Sequence, residues 1–563
     1  MGGISVTLVE SAQDAYDFIN WLDNRRPVLA IDTETTGVHW PTARLRLVQF
    51  GDAHTSYAIP WETWGGVAIE ALDKYQEEIV LHNHKYDAHI FRNHGIKLPT
   101  SKRNCTMLMS HLDNPHRSHG LKALAAVNYP GMAQPEYDLK QKMKKNNWTW
   151  ANIPVHTPEY WQYGGIDTII TARLYEKFRP RINELLYDIE MSSQFAIEEM
   201  ERKGLRLDID YLEDSSDALQ KFITQTREWA KKEYGIDIRK TAQLQGKLLE
   251  LGWEPTAYTP TGRISTSKKS LENCDLPLAK AYTDMQRAVK FNSTFFQGLL
   301  KYAVDDIIYP NIHPTGATTG RMSAKQPNLQ QIPRDSSVRG AFIAREGKKL
   351  AFIDYDLMEF VVYAFYADDE GMKKAAEAED THTEMAKLLF QTEEISKDQR
   401  QLAKSATYAI LYGSGAETMS DTAGLDVSYG QELYATYKKA FPGIDGFADR
   451  VYRDSYGIGS GYKEIVNING RKQQNRDVWK LVNYLVQGTC ADILKTTLAN
   501  MWQTDLVQYL RLAIHDELVL ECDEKEVDEL TRETVRHMED AWRHSPKLYA
   551  SAGVYDCWGD KYK

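Results

Sequence analysis

Apolar and polar positions alternate differently in different parts of this chain, and the change of period marks its organisation. Over the first 180 or so residues, "PVLAID", "LRLVQFG", "SYAIP" and "EIVLHN" read as strands, followed by mostly helical patterns, so this part is mixed α/β. From about 186 to 255 the pattern is helical, rich in Glu, Lys, Gln and Leu. "TPTGRISTSKKS" (259–270) is a loop by its Thr, Ser, Gly and Pro content. The apolar strand "KLAFID" arrives at 349–354, and a helical block covers roughly 357–450. A strand pair then turns at Asn469-Gly470, a helix spans 477–505, and a last hairpin falls at "LAIHDELVLE" (512–521).

In that hairpin His515, Asp516 and Glu517 interrupt two apolar runs and occupy the turn. Two adjacent acids there are either a solvated turn or a carboxylate held on rigid elements to grip a metal ion. A partner carboxylate decides between these. "KKLAFIDYDLMEFVVYAF" (348–365) offers one, because Asp354 ends a buried-looking strand ahead of a helix. Asp354 is either the N-cap of that helix or, with Asp516, half of a site bridging two Mg²⁺ ions about 3.5–4 Å apart. Between them, "SKDQRQLAKSATYAILYGSG" (396–415) opens on a capping box of Ser396 and Gln399 and ends at Gly413 and Gly415. Arg400, Lys404, Tyr408 and Tyr412 recur every four residues along it. Solubility alone would explain the cations, but two cations followed by two rings on one face suit a ligand with a phosphate tail and a flat base.

A second acidic set lies nearer the amino terminus. In "VLAIDTETTG" Asp32 and Glu34 are two apart in a strand, hence on one face, and two such carboxylates repel unless a cation lies between them. "NHKYDAHIF" places Asp87 on a helix just after a strand, and "YWQYGGIDTII" places Tyr163 and Asp167 four apart on one helical face. Oxygen ligands of this kind suit Mg²⁺ or Mn²⁺.

Length and composition add bounds. At 563 residues the chain should divide into three or four domains, and 42% hydrophobic with 26% charged is ordinary for a globular protein. No apolar run approaches the ~20 residues of a membrane span, so no membrane partner is expected, and the first residues lack the pattern of a signal peptide. Five scattered cysteines without a CxxC pair argue against a disulfide framework or a zinc site and for a reducing, cytoplasmic setting. The net charge of −11 taken alone argues against a nucleic-acid partner, although "KQKMKKNN" (140–147) and "NGRKQQNR" (469–476) are locally basic.

As a set and in this order, Asp32, Glu34, Asp87, Tyr163 and Asp167 resemble the three motifs of the DnaQ-like 3′–5′ exonucleases, with an RNase H-like fold over about 1–180. "DYDLMEF", "RQLAKSATYAILYG" and "LAIHDELVLE" resemble motifs A, B and C of the family A DNA polymerases. "TTGRMSAKQPNLQQIPR" (318–334) and "VQGTCADILK" (486–495) match two further segments of that family. The resemblance implies an α/β multidomain chain: a 3′–5′ exonuclease domain over 1–185 followed by a right-hand polymerase. The thumb would cover 186–305, the palm 306–370 and 456–563, and the fingers 371–455. It also implies that no 5′ nuclease precedes the exonuclease and that the span from Asp208 to Arg321 has no room for a thioredoxin-type insertion.

Residue by residue, the resemblance gives Asp354 and Asp516 both polymerase metals, with the Tyr355 carbonyl assisting and Glu517 in a lesser part. Arg400, Lys404 and His382 would meet the triphosphate, Lys404 also serving as the acid for departing pyrophosphate. Tyr408 would stack by the incoming sugar and base, and its being Tyr rather than Phe implies ready acceptance of dideoxynucleotides. Glu359 would crowd a ribose 2′-hydroxyl. Arg321 and His515 would touch the primer end, Asn483 and Gln487 the duplex minor groove, and Tyr412 the templating position. Asp32, Glu34, Asp87 and Asp167 would hold the exonuclease metals, with Tyr163 orienting the attacking water and Asn83 matching the second motif.

Mg²⁺, replaceable by Mn²⁺, is the implied cofactor, two ions at each site. Primer-template DNA, dNTPs and single-stranded 3′ ends are the implied partners of a monomer. The chain departs from the family motif at Asp356, Leu357 and Val361, and at Trp479, where the family often has Arg. Two rival readings compete with this one. A nuclease joined to a binding module would need no paired acids in the carboxy-terminal part. A single-subunit RNA polymerase is disfavoured by Glu359 and the proofreading domain.

Overall fold

The computed structural model describes residues 3–24, 27–132, 134–259, 261–411, 415–417, 420 and 426–562. Its amino-terminal part is built on a six-stranded sheet ordered Ser5–Leu8, Thr55–Pro60, Leu45–Gly51, Val28–Thr35, Glu78–Leu81 and Arg103–Cys105. The middle pairings are antiparallel and the outer ones parallel. Leu29, Ile31, Val48, Phe50 and Ile59 are buried in this sheet, which is why their segments read as strands. The helix Pro158–Phe178 packs across the sheet, and Gly164 and Gly165 permit the approach. A Cβ at Gly164 would collide with Gln49 and crowd Glu34 Oε1 at 3.2 Å, and one at Gly165 would strike Val6.

A second sheet carries the carboxy-terminal hairpin. Its order is Leu510–Ile514, Glu517–Asp523, Lys348–Tyr355 and Ala550–Tyr555, antiparallel throughout. Alternation along Lys348–Tyr355 sends Leu350 and Phe352 to a cluster with Phe342, Val519 and Trp558. Ala351, Ile353 and Tyr355 go to the larger cluster under the helices Met358–Ala367 and Val478–Trp502. A sheet covered on both faces yields the near-continuous apolar run seen in the sequence. The helical block after 357 resolves into six helices among the described residues, including Thr381–Phe390 and Lys397–Leu411. The capping box forms as expected: Gln399 N donates to Ser396 Oγ at 3.2 Å and Ser396 N to Gln399 Oε1 at 2.9 Å. The Asn469-Gly470 turn lies between the strands Tyr462–Val466 and Lys472–Asn475, and Gly470 has φ +86°. The helices Ile209–Tyr234 and Pro277–Phe291 pack together over a separate core that includes Ile223, Leu248, Leu278 and Met285.

The helix Glu184–Lys203 joins the two halves, and the boundary expected at 185/186 falls in its first turn. Periodicity reads this helix as one more amphipathic element, yet Glu190, Gln194, Glu198 and Glu201 on it are buried. On the amino-terminal side, Glu198 pairs with Arg103 at 2.7 Å and Glu201 with His89 at 2.8 Å and with Lys85. On the other side, Glu190 accepts from Arg471 at 2.5 Å and Lys495 at 2.7 Å, while Arg471 also meets Asp492 at 2.6 Å. Burial works to raise the Glu190 carboxyl, but Lys495 and Arg471 overcome it and hold it at about 2. A carboxylate depressed below its unfolded value stabilises the fold above the unfolded pKa of about 4.5, and this is lost as pH falls toward 2. Glu190→Gln leaves two buried cations undercompensated and should cost about 3 kcal/mol at pH 7, read as a lowered urea midpoint that approaches the wild-type value below pH 4.

Candidate active sites

The strand that carries Asp354 is the direct neighbour of the hairpin whose turn carries Asp516. Asp354 stands opposite Glu517 in the antiparallel pair, and the Tyr355 amide donates to the Asp516 carbonyl at 3.3 Å. Opposed residues in such a ladder lie about 4.5–5.5 Å apart, so Asp354 and Asp516 sit together at the sheet's end. Two non-glycine residues beside them have left-handed backbones: Leu357 with φ +52° and His515 with φ +55°. Each such conformation costs about 1–3 kcal/mol and persists only where surrounding structure imposes it. Here the hairpin turn and the strand-to-helix corner impose it, and both aim acids at one place.

The alternative reading of Asp354 as a helix cap does not survive. The N-cap of Met358–Ala367 is Leu357, with no side-chain cap bond. Asp354 Oδ1 is instead buried without a hydrogen-bond partner, and burial followed by the Asp516 charge pushes the Asp354 carboxyl up to about 6. Burial also raises Asp516, with the Glu359 charge adding to it. Mutually repelling carboxylates in a low-dielectric site, one of them with an orphaned oxygen, are the donor set a divalent cation satisfies. Glu517 is different: its carboxylate pairs with Lys561. Asp356 adds a third acid; its Oδ1 accepts from Ser551 Oγ at 2.8 Å and its charge contributes to raising Asp354.

Above this floor opens a cleft of about 1200 Å³, whose lining includes Asp354, Asp516, Glu359, His382, Arg400 and Tyr408. Tyr355, Arg321 and His515 line it too. Arg321 is ion-paired with Glu359, so the two residues expected at the primer end and the sugar meet each other. His382 and Tyr408 approach with ring centroids 6.1 Å apart. Burial, then the charges of Lys404 and Arg400, pull His382 below the ordinary histidine range. Lys404, one turn beyond Arg400, does not itself line the cleft among the described residues. Asn483 and Gln487 follow the half-exposed Trp479 along one face of Val478–Trp502, which reaches the cleft at Cys490, Ala491 and Leu494. Tyr412 and Gly413 lie outside the described residues.

The amino-terminal acids form a second cluster. Oxygens of Asp32, Glu34 and Asp167 all lie within 4.8 Å of one another, two from the strand Val28–Thr35 and one from the helix that the glycine pair admits. Burial, then the charges of Asp87 and Glu34, raise Asp32 well above the carboxylate range; burial and Asp167 do the same for Glu34. Asp87 is not within that triad. It lies in the first turn of His84–Asn93, accepts from Thr33 Oγ1 at 2.6 Å, and is pushed by burial up to about 7. Asn83 caps that helix with φ +63°. Tyr163 is raised by burial and then by Asp167.

Three residues that sequence reasoning passed over belong to these sites. Lys122 pairs with Asp167 and lies 3.9 Å from the Tyr163 ring centroid, supplying positive charge to the acid cluster. Lys561 holds Glu517. Asp380 receives Arg400. Only Asp380 carried a local signal, as an N-cap type ahead of "THTEMAKLLF"; the two lysine pairings join distant segments that no spacing reveals.

Comparison with known proteins agrees with this architecture. Residues 209–560 match the family described as DNA polymerase family A, and residues 6–183 match a 3′–5′ exonuclease family. The chain therefore belongs to DNA polymerase family A and carries a 3′–5′ exonuclease domain. It is 28% identical to a DNA polymerase of Mycobacterium phage D29, over 95% of this chain and 93% of that protein. It is likewise 28% identical to DNA polymerase I of Aquifex aeolicus, over 90% of each. In fold it resembles the polymerase domain of Pol1 from M. smegmatis, solved with DNA primer-template and dNTP. That match has a TM-score of 0.78 at 23% identity and covers 98% of this chain and 99% of that one. Among the described residues no helix is long and apolar enough to cross a membrane.

Proposed function

We propose that this polymerase extends primed templates from dNTPs at the Asp354–Asp516 floor and proofreads at the Asp32–Glu34–Asp167 cluster, as a monomeric, phage-type replicative enzyme acting in the cytoplasm. The observation that carries the reading is the junction of Asp354 and Asp516, with an orphaned buried oxygen, beneath a cleft walled by Arg400, His382 and Tyr408. Asp354, Asp516 and the Tyr355 carbonyl would hold two Mg²⁺ ions, or Mn²⁺ in their place, which when bound lower the charge cost of in-line attack on phosphate. Arg400, Lys404 and His382 bind the triphosphate, and Lys404 supplies the proton to departing pyrophosphate. Tyr408 stacks by the incoming sugar and base, and Tyr412 contacts the templating position. Arg321 and His515 contact the primer end, while Asn483 and Gln487 track the minor groove. Glu517 stays with Lys561 and acts only through its charge.

At the second site Asp32, Glu34, Asp87 and Asp167 would hold the cations around a single-stranded 3′ end. Asp87 lies outside the tight triad, which fits a ligand to a second ion. Tyr163 orients the water that attacks the phosphodiester. Single-stranded DNA enters as a frayed, mismatched primer end.

Primer extension with separate dNTP and rNTP pools tests the assignment of the cleft. The wild type should extend with dNTPs alone and stop when the divalent cation is chelated. Glu359→Ala should raise rNTP incorporation at least about tenfold, roughly 1.4 kcal/mol of lost discrimination. Unchanged sugar selectivity would remove Glu359 from the sugar-facing wall.

A further inference from the structure

The Asp380 carboxylate is the most heavily engaged acid beside the cleft. Its Oδ2 accepts from Arg400 Nε at 2.7 Å and from Thr383 Oγ1 at 2.7 Å. Its Oδ1 accepts from Arg400 Nη2 at 3.1 Å and from the amides of His382 at 3.1 Å and Thr383 at 3.3 Å. One side chain therefore caps the helix Thr381–Phe390 and grips the guanidinium from the helix Lys397–Leu411. These helices carry His382 and Arg400, two of the three groups assigned to the triphosphate, and Asp380, His382 and Arg400 all line the cleft.

As a stabilising ion pair the contact has little value. Both side chains are 42% exposed, and exposed pairs contribute about 0–1 kcal/mol. Its geometry matters more. A guanidinium free to rotate must be ordered by the ligand it binds, whereas a planar fork already gripped at Nε and Nη2 has its remaining nitrogen, Nη1, set in place beforehand. The same carboxylate fixes the backbone amide of His382, so it sets the spacing between the two phosphate-side groups.

We propose that Asp380 is a positioning residue of the polymerase reaction, fixing Arg400 in the orientation in which it receives the triphosphate of the incoming nucleotide. The proposal rests on the assignment of Arg400 to the triphosphate. Asp380→Asn isolates the effect, because Asn remains a good N-cap acceptor while losing the charge that grips the guanidinium. Steady-state extension by the full chain, varying one dNTP, should show KM raised about tenfold with kcat within about threefold of wild type. Digestion of single strands by the same preparations reports that the chain is folded.

In an Arg400→Ala background the same substitution should change KM less than about twofold, since its route of action is gone. Asp380→Glu, which keeps the charge, should recover part of the loss. An unchanged or lowered KM in Asp380→Asn overturns the proposal, a lowered value meaning that the carboxylate competes with the triphosphate. So does an equal effect with and without Arg400. If Arg400→Ala alone leaves KM unmoved, the assignment of Arg400 fails first and takes the proposal with it.

Discussion

Asp516→Ala should abolish primer extension while leaving digestion of single-stranded DNA at the wild-type rate, and Asp32→Ala should do the reverse. The reasoning is electrostatic. Asp354 and Asp516 are the acids brought together at the sheet's end, and Glu517 is already committed to Lys561. Removing Asp516 leaves Asp354 as the single uncommitted strand-end carboxylate at that floor, with Asp356 bonded to Ser551. The loss should be at least about a thousandfold, roughly 4 kcal/mol of transition-state stabilisation. Asp32 belongs to a different sheet, which packs on its own core. A gel assay with a primed template, run beside one with a labelled single strand, reads both activities. Loss of both in either variant would mean that the clusters do not act as separate sites.

Chain termination is the second large effect. Tyr408 lines the cleft beside His382 and feels the charges of Glu359 and Asp516. Resemblance to family A enzymes with Tyr rather than Phe at this position implies ready use of dideoxynucleotides. The phenol hydroxyl would supply a polar contact where the missing 3′-hydroxyl leaves one unmade. Tyr408→Phe should therefore increase discrimination against ddNTPs about a hundredfold, near 2.7 kcal/mol, with dNTP extension little changed. Competition between a dNTP and its dideoxy analogue on one primer measures the ratio directly. Equal and strong discrimination in both proteins would remove Tyr408 from the sugar-facing side of the cleft.

The strands around Val28–Thr35, Leu45–Gly51, Thr55–Pro60 and Glu78–Leu81, the capping box at Ser396 and the turn at Asn469-Gly470 could all be read from local spacing, because each depends on residues within a few positions of one another, whereas the order of those strands in the sheet could not. Asp32 with Glu34, and Tyr163 with Asp167, were legible for the same reason: strand and helix periods place them on shared faces. Two things were less visible. The helix Glu184–Lys203 reads as an ordinary amphipathic element, but its acids are buried and paired with bases from both halves of the chain. Arg321 and Glu359 each carry a motif signal, yet nothing in either motif says that they pair.

By itself, the amino-acid sequence determined the two acidic sets, the elements that bear them and the family to which they belong, since these follow from residue type and short-range period. Tertiary structure alone decided that Asp354 is no helix cap, that Lys122 sits in the exonuclease cluster, that Lys561 holds Glu517, and that Asp380 grips Arg400. Those contacts join side chains whose separation along the chain is arbitrary, and it is the packing of sheets and helices, with the charge balance of buried groups, that selects them.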